Sequence, residues 1–148
     1  MFNVVLVEPE IPPNTGNVGR LCLATKSGLH LVKPLGFSLD DRQLKRAGLD
    51  YWEDVDVTTW DSLDALIRAK QSGERYFFVT TKTKRAYWDV RFRPGDFLIF
   101  GRETKGLPES LLTANERQCI TIPMAGTRSL NLATAVGIVL FEAVRQRR

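Results

Sequence analysis

The sequence predicts an α/β fold: a mainly parallel sheet flanked by helices. Three observations carry this. Short apolar runs rich in β-branched and aromatic residues recur along the chain. They are mostly unbroken rather than alternating, which is the pattern of strands covered on both faces. Segments with helical periodicity or helix-boundary residues lie between them, and that alternation is what parallel strands joined by crossover helices require.

The elements follow in order. "NVVLV" (3–7) is the first strand. Pro12 and Pro13 then hold an extended connection, and a helix is predicted over 15–27 with Asn14 or Thr15 as its cap. "LHLVK" (29–33) is the second strand. "DDRQLKRAG" (40–48) forms a short helix that stops at Gly48, and "VDVTT" (55–59) is a weaker strand. "DSLDALIRAKQSG" (61–73) has Asp61 as N-cap and Gly73 as stop. "YFFVTT" (76–81), "DFLIF" (96–100) and "CITIP" (119–123) complete the strands. "PESLLTA" (108–114) starts on a proline suited to a first helical turn. The last helix, 131–146, carries the clearest stripe: Leu132, Ala135, Val136, Val139, Leu140 and Ala143.

The chain has 148 residues, 43% of them apolar, with no repeats or low-complexity linker. A single domain over 1–148 is expected. No apolar run reaches membrane-span length and the N-terminus lacks a signal-peptide pattern, which predicts a soluble cytoplasmic protein without a membrane partner. Cys22 and Cys119 sit in apolar patterns without metal-ligand spacing, so they read as core thiols and no metal is expected. The lone histidine, His30, lies in a strand and reads as a satisfied, partly buried residue. Net charge is +4. The cations cluster in "RQLKR", "TKTKR", "RFR" and the closing "RQRR", as solvated faces or as contacts for an anionic partner.

In open parallel sheets, ligands bind beyond the C-terminal strand ends. Four polar junctions fall there. "GRETKG" (101–106) lacks the Lys-Ser/Thr pair of a phosphate loop, and "NTGNVGRL" lacks the first glycine of a dinucleotide fingerprint. Gly101 and Gly106 fit positive φ or close backbone approach. Between them, Glu103 fits equally a solvated turn or a carboxylate aimed into a cleft. In "MAGTRSLNLATA", Ser129 and Asn131 are good helix caps, and the free N–H groups of a helix start also suit an anionic or carbonyl ligand. In the first junction, Gly16 and Gly19 thin the helix so that a chain or ligand can approach. Arg20 stands at the helix end whose dipole disfavours a cation. Pairing with Glu8 or Glu10 would explain it structurally; a substrate contact would explain it functionally.

Together, "EPEIPPNTGNVGRLC", "FGRETKGLPE" and "IPMAGTRSLNLATAVGIVLFEA" resemble the three signature motifs of the SPOUT class of RNA 2′-O-methyltransferases. "GFSLDDRQLKRAGLDYW" further resembles the TrmL/YibK branch, which methylates the wobble ribose of certain tRNAs. The match keeps the motif order over almost the whole chain. It implies a C-terminal deep trefoil knot, S-adenosylmethionine held bent within it, a tRNA partner, and a homodimer with active sites at or near the interface. It implies a cofactor pocket of Val79, Thr80, Gly101, Glu103, Ile122, Met124, Ser129 and Leu130. Asn14, Arg20, Ser129 and Asn131 would form the catalytic set. Arg20, Lys45 and Arg46 would touch RNA, with Arg42 and Lys84 as further candidates. A guanidinium has no acceptor lone pair, so the expected role of Arg20 is electrostatic, with the hydroxyl proton going to Glu103 or a substrate phosphate. The competing readings are methylation at another RNA site, a non-catalytic RNA-binding module and a nucleotide-dependent oxidoreductase.

Overall fold

The structure, a computed structural model, describes residues 1–69 and 71–147. Lys70, within the predicted 61–73 helix, and Arg148, in the closing basic run, lie outside the described residues. The six predicted runs form the strands β1 (Asn3–Val7), β2 (Gly28–Val32), β3 (Val57–Trp60), β4 (Tyr76–Val79), β5 (Phe97–Phe100) and β6 (Cys119–Ile120). They make one sheet in the order β3-β2-β1-β5-β4-β6, and every pairing is parallel. Strands β1 and β5 are buried along almost their whole length, as the unbroken apolar runs require.

The runs at 76–81 and 119–123 end early as strands. The Thr80 hydroxyl accepts from the Lys82 N–H at 3.1 Å and turns the chain. Thr121 leaves the ladder to exchange bonds with Arg85 and Tyr87, and Pro123 has no N–H to continue it.

Helices α1 (Pro12–Ala24) and α5 (Leu132–Arg145) cover one face of the sheet; α3 (Leu63–Arg68) and α4 (Glu109–Ala114) cover the other. The helix α2 (Arg42–Gly48) packs on α1. Three boundaries differ from expectation. First, α1 begins at Pro12, so the two prolines form its first turn and are not an extended connection. Proline fits there because the N–H it lacks would have no helical partner. Neither Asn14 nor Thr15 caps it; the cap position is Ile11. Second, α3 is capped by the Ser62 hydroxyl rather than Asp61. Third, α1 ends at Ala24 and α3 at Arg68, short of the expected 27 and Gly73; of the two caps expected for α5, Asn131 serves, through the Thr134 N–H, and Ser129 does not.

The glycines of α1 have a packing reason. A Cβ on Gly16 would collide with the Leu44 backbone carbonyl and Ala47 of α2, and one on Gly19 would meet the Trp52 ring at 2.7 Å. What approaches these two glycines is therefore α2 and the 3-10 segment Leu49–Asp54.

The N-terminal end of the sheet is closed by satisfied polar groups. The Trp60 indole N–H donates to His30 Nδ1 at 3.0 Å. Nδ1 is thus the acceptor, and Nε2–H is left to donate to Asn3 Oδ1 at 3.0 Å. Asp96, 2% exposed, is held by both forks of Arg75. Cys22 and Cys119 are buried free thiols, and burial pushes Cys22 up to about 12. All three residues are structural, as expected.

Gly16→Ala should destabilise the fold by about 1–3 kcal/mol through overpacking against rigid backbone, read from urea denaturation. Burial lowers the His30 pKa, with Asp56 and Glu74 opposing. The unfolded chain then takes the proton more readily, so this contribution is complete above the ordinary histidine value and is lost as pH falls below it. The urea midpoint should drop on acidification through about pH 6.5, and drop less in His30→Gln.

Candidate active site

The sheet order places a topological switch between β1 and β5. From β1 the chain runs outward through β2 and β3, then returns by β4 to set β5 against the other side of β1. The two loops that diverge there are 8–11 and 101–107, and a crevice between them is the expected ligand position.

The loops are joined by a reciprocal set of hydrogen bonds. The Glu103 carboxylate accepts the backbone N–H of Glu10 at 2.8 Å and of Ile11 at 2.9 Å, and the Asn14 amide at 3.3 Å. In return the Glu10 carboxylate accepts the Thr104 N–H at 3.0 Å and hydroxyl at 2.8 Å, and these bonds hold the Glu10 carboxyl below the usual carboxylate range. Asn14 passes the connection on, because its Oδ1 accepts from Asn131 Nδ2 at 3.0 Å. One chain of contacts thus links the ends of β1 and β5 to the start of α5.

The 101–107 loop needs both its glycines internally. Gly106 adopts φ +64°, and its N–H returns to the Arg102 carbonyl at 2.8 Å. A Cβ on Gly101 would strike the backbone of Gly106 and Leu107. Of the two uses foreseen for glycine here, both operate, but the backbone that approaches Gly101 is its own loop.

Beyond this loop lies a cleft of about 490 Å³ over the ends of β4, β5 and β6. All eight residues expected to hold the cofactor line it: Val79 and Thr80, Gly101 and Glu103, Ile122 and Met124, Ser129 and Leu130. Its opposing walls are the 101–107 loop and the 121–131 segment, which crosses from the sheet edge to α5. Among the described residues, no backbone–backbone hydrogen bond involves 122–130. Apart from the Ser129 carbonyl, which accepts from the Thr127 hydroxyl at 3.4 Å, that stretch keeps backbone donors and acceptors free of other backbone beside apolar side chains, the combination that an aromatic heterocycle with polar edges requires. Lys82, Thr104 and Lys105 also line the cleft; they fall in polar junctions beyond strand ends, where a ligand was expected, but were not singled out as site residues.

Asn14 and Asn131 line the same cleft, but Asn14 is 7% exposed and its amide is engaged on both sides. It is therefore a positioning residue. Arg20 is exposed and lines a neighbouring cleft of about 680 Å³, with Asn131 the residue common to both. Neither suggested acidic partner takes it: Glu8 lies 4.0 Å from Arg102, and Glu10 holds Thr104. Lys45 and Arg46 are exposed on α2; Lys45 lies 3.7 Å from Asp40. Arg42 and Lys84 are exposed as well.

A parallel α/β sheet with a cleft built from the loops at its switch point and its neighbouring strand ends places this chain among the open-sheet α/β proteins whose clefts lie at the carboxyl ends of the strands. The family is more specific: the chain belongs to the SpoU rRNA Methylase family, whose sequence model matches residues 1–141. A tRNA (cytidine(34)-2'-O)-methyltransferase of Burkholderia pseudomallei is 50% identical over 99% of this chain and 96% of its own. That of Escherichia coli K12 is 49% identical over 99% and 94%. A solved structure concerned with the 2-OH methylation of C/U34 on tRNA superposes with a TM-score of 0.95 at 47% identity, over 99% of this chain and 96% of that one. The SpoU methyltransferase AviRb from Streptomyces viridochromogenes, solved with AdoMet, gives 0.86 at 26% identity over 98% and 60%.

Glu103→Gln would turn an amide NH₂ toward backbone donors. It should cost about 1–3 kcal/mol, and hydrogen exchange at Glu10 and Ile11 should accelerate relative to the rest of α1.

Proposed function

We propose that this chain transfers a methyl group from S-adenosylmethionine to the ribose 2′-hydroxyl of nucleotide 34, a cytidine or modified uridine, in certain tRNAs, and that it works as a homodimer. The observation that carries this reading is the convergence of three separated signature segments. The start of α1, the 101–107 loop and the 121–131 segment meet around one cleft, in a chain about half identical to tRNA ribose methyltransferases over its whole length. The family's trefoil knot belongs to the same reading, with the 121–131 segment as the threaded piece.

When bound, S-adenosylmethionine supplies a methyl on a positively charged sulfur that departs as a neutral thioether. The residues of this chain do the rest. Val79, Ile122, Met124 and Leu130 exclude water from the heterocycle, and the backbone of 122–130 fixes its edge. Ser129 and Asn131, at the junction with the Arg20 cleft, orient the attacking ribose. Arg20 is permanently charged and cannot accept a proton; it grips an adjoining phosphate and stabilises negative charge as it develops on the 2′-oxygen. Glu103, already accepting three N–H donors, has a structural role, and the hydroxyl proton leaves to an RNA phosphate or to water. Lys45 and Arg46 hold the tRNA backbone.

The second copy is assigned to the outer face of α1 and α5. Tyr51 and Phe141 are 51% and 45% exposed. Tyr51 borders the Arg20 cleft beside Leu21 and Ala24, and Phe141 lies one turn beyond Gly137, which faces Leu21. A partner seated there would border Arg20. No helix of the described residues is long and apolar enough to cross a membrane, and a tRNA substrate puts the enzyme in the cytoplasm.

Arg20→Ala should abolish methylation of tRNA at position 34, with donor affinity by titration calorimetry unchanged; loss of both would refute the assignment. Arg20→Lys should remain severely impaired, because an ammonium lacks the planar two-pronged contact. Lys45→Ala or Arg46→Ala should weaken tRNA binding and reduce its salt slope by about one.

A further inference from the structure

One basic stretch is left unused by that mechanism. Residues 82–93 hold five cations against a single acid, Asp89. Lys82 is paired with Glu109, and Arg85 donates to the Arg117 carbonyl. Among the described residues, Lys84, Arg91 and Arg93 have no acidic partner. At the centre of this stretch stands Trp88, 56% exposed, a higher fraction than any other large apolar side chain among the described residues.

Trp88 is held firmly for so open a residue. It lies in the 3-10 turn Tyr87–Asp89, which is closed by Asp89 N–H to the Ala86 carbonyl at 3.1 Å and Val90 N–H to the Tyr87 carbonyl at 3.3 Å. Ahead of the turn, Ala86 bridges Thr121, and Tyr87 N–H bonds the Thr121 carbonyl. Behind it, Gln146 takes the Phe92 N–H at 2.8 Å and donates to the Val90 carbonyl at 2.9 Å. The Tyr87 ring packs against the core and braces Trp88 edge-on, centroids 5.3 Å apart at 63°. Thr121 is itself a wall of the donor cleft, so the indole is anchored beside the site of chemistry.

A rigid exposed aromatic among unpaired cations fits an unstacked base and its phosphates. A second copy of this patch is a poor occupant, because it would bring like charges together. We propose that Trp88 is a stacking platform for an unpaired nucleobase of the RNA substrate, with Lys84, Arg91 and Arg93 neutralising the flanking phosphates. This rests on the tRNA methyltransferase reading and adds to it a contact outside the signature motifs.

The test is steady-state methylation of a tRNA transcript by the wild-type chain, Trp88→Ala and Trp88→Phe, with sedimentation of each. Trp88→Ala should raise the KM for tRNA about tenfold, leaving kcat and the donor KM within about twofold, and Trp88→Phe should recover most of the loss. An active wild type with an unchanged tRNA KM in Trp88→Ala would overturn the inference. So would an altered oligomeric state in Trp88→Ala, which would make the indole a contact between copies. An inactive wild type would instead sink the methyltransferase reading. The platform is then judged by titrating intrinsic fluorescence with a short single-stranded RNA: quenching that disappears in Trp88→Ala supports it, and quenching that persists overturns it.

Discussion

The site depends on one carboxylate. Glu103 joins the loop after β5 to the start of α1 by accepting two backbone N–H groups and the Asn14 amide. Without it, the two loops that diverge at the switch point would be joined only by the bonds from Thr104 to Glu10, and the start of α1 would lose its tie. Through Asn14 the same group reaches Asn131, which caps α5. One wall of the cleft, the helix bearing Arg20 and the capping residue of the last helix are therefore tied together through this one acceptor. Charge-assisted bonds to backbone N–H are among the stronger ones a protein makes, which suits a group that must orient others rather than react.

The fold was largely legible because the parallel sheet writes itself plainly. Val4 to Val7, Phe77 to Val79 and Phe97 to Phe100 are continuous apolar runs, and each became a strand. What local sequence misjudged were the ends. Pro12 and Pro13 read as an extended loop because proline disfavours helix at the residue before it, yet a helix start tolerates both. The glycines of α1 invited a ligand, whereas the neighbours were α2 and Trp52, about thirty residues further along the chain and beyond any local window. Likewise, Glu103 could be read as a turn residue or a cleft acid, and its partners lie about ninety residues away in sequence.

That the lining residues would share one cleft was expected from the resemblance, not from chemistry visible in the residues. Val79, Ile122 and Leu130 carry no signature of their own, and their convergence follows only from β4, β5 and β6 being neighbours. Arg20 illustrates the opposite case. Its misfit with the helix dipole was visible in the sequence, and in the fold it remains exposed, without an acidic partner among the described residues, beside the cleft that Asn131 shares. An electrostatic conflict left unresolved by the fold is a better pointer to function than a motif read alone.

The first turn of α1 has a consequence for anion binding. Helix beginnings ordinarily attract anions through free N–H groups. Here two of those positions are prolines and the preceding two amides are consumed by Glu103. The helix start is thereby silenced as an anion trap, and the one cation that α1 carries, the Arg20 guanidinium, stands two turns further on, free of competition from the helix end.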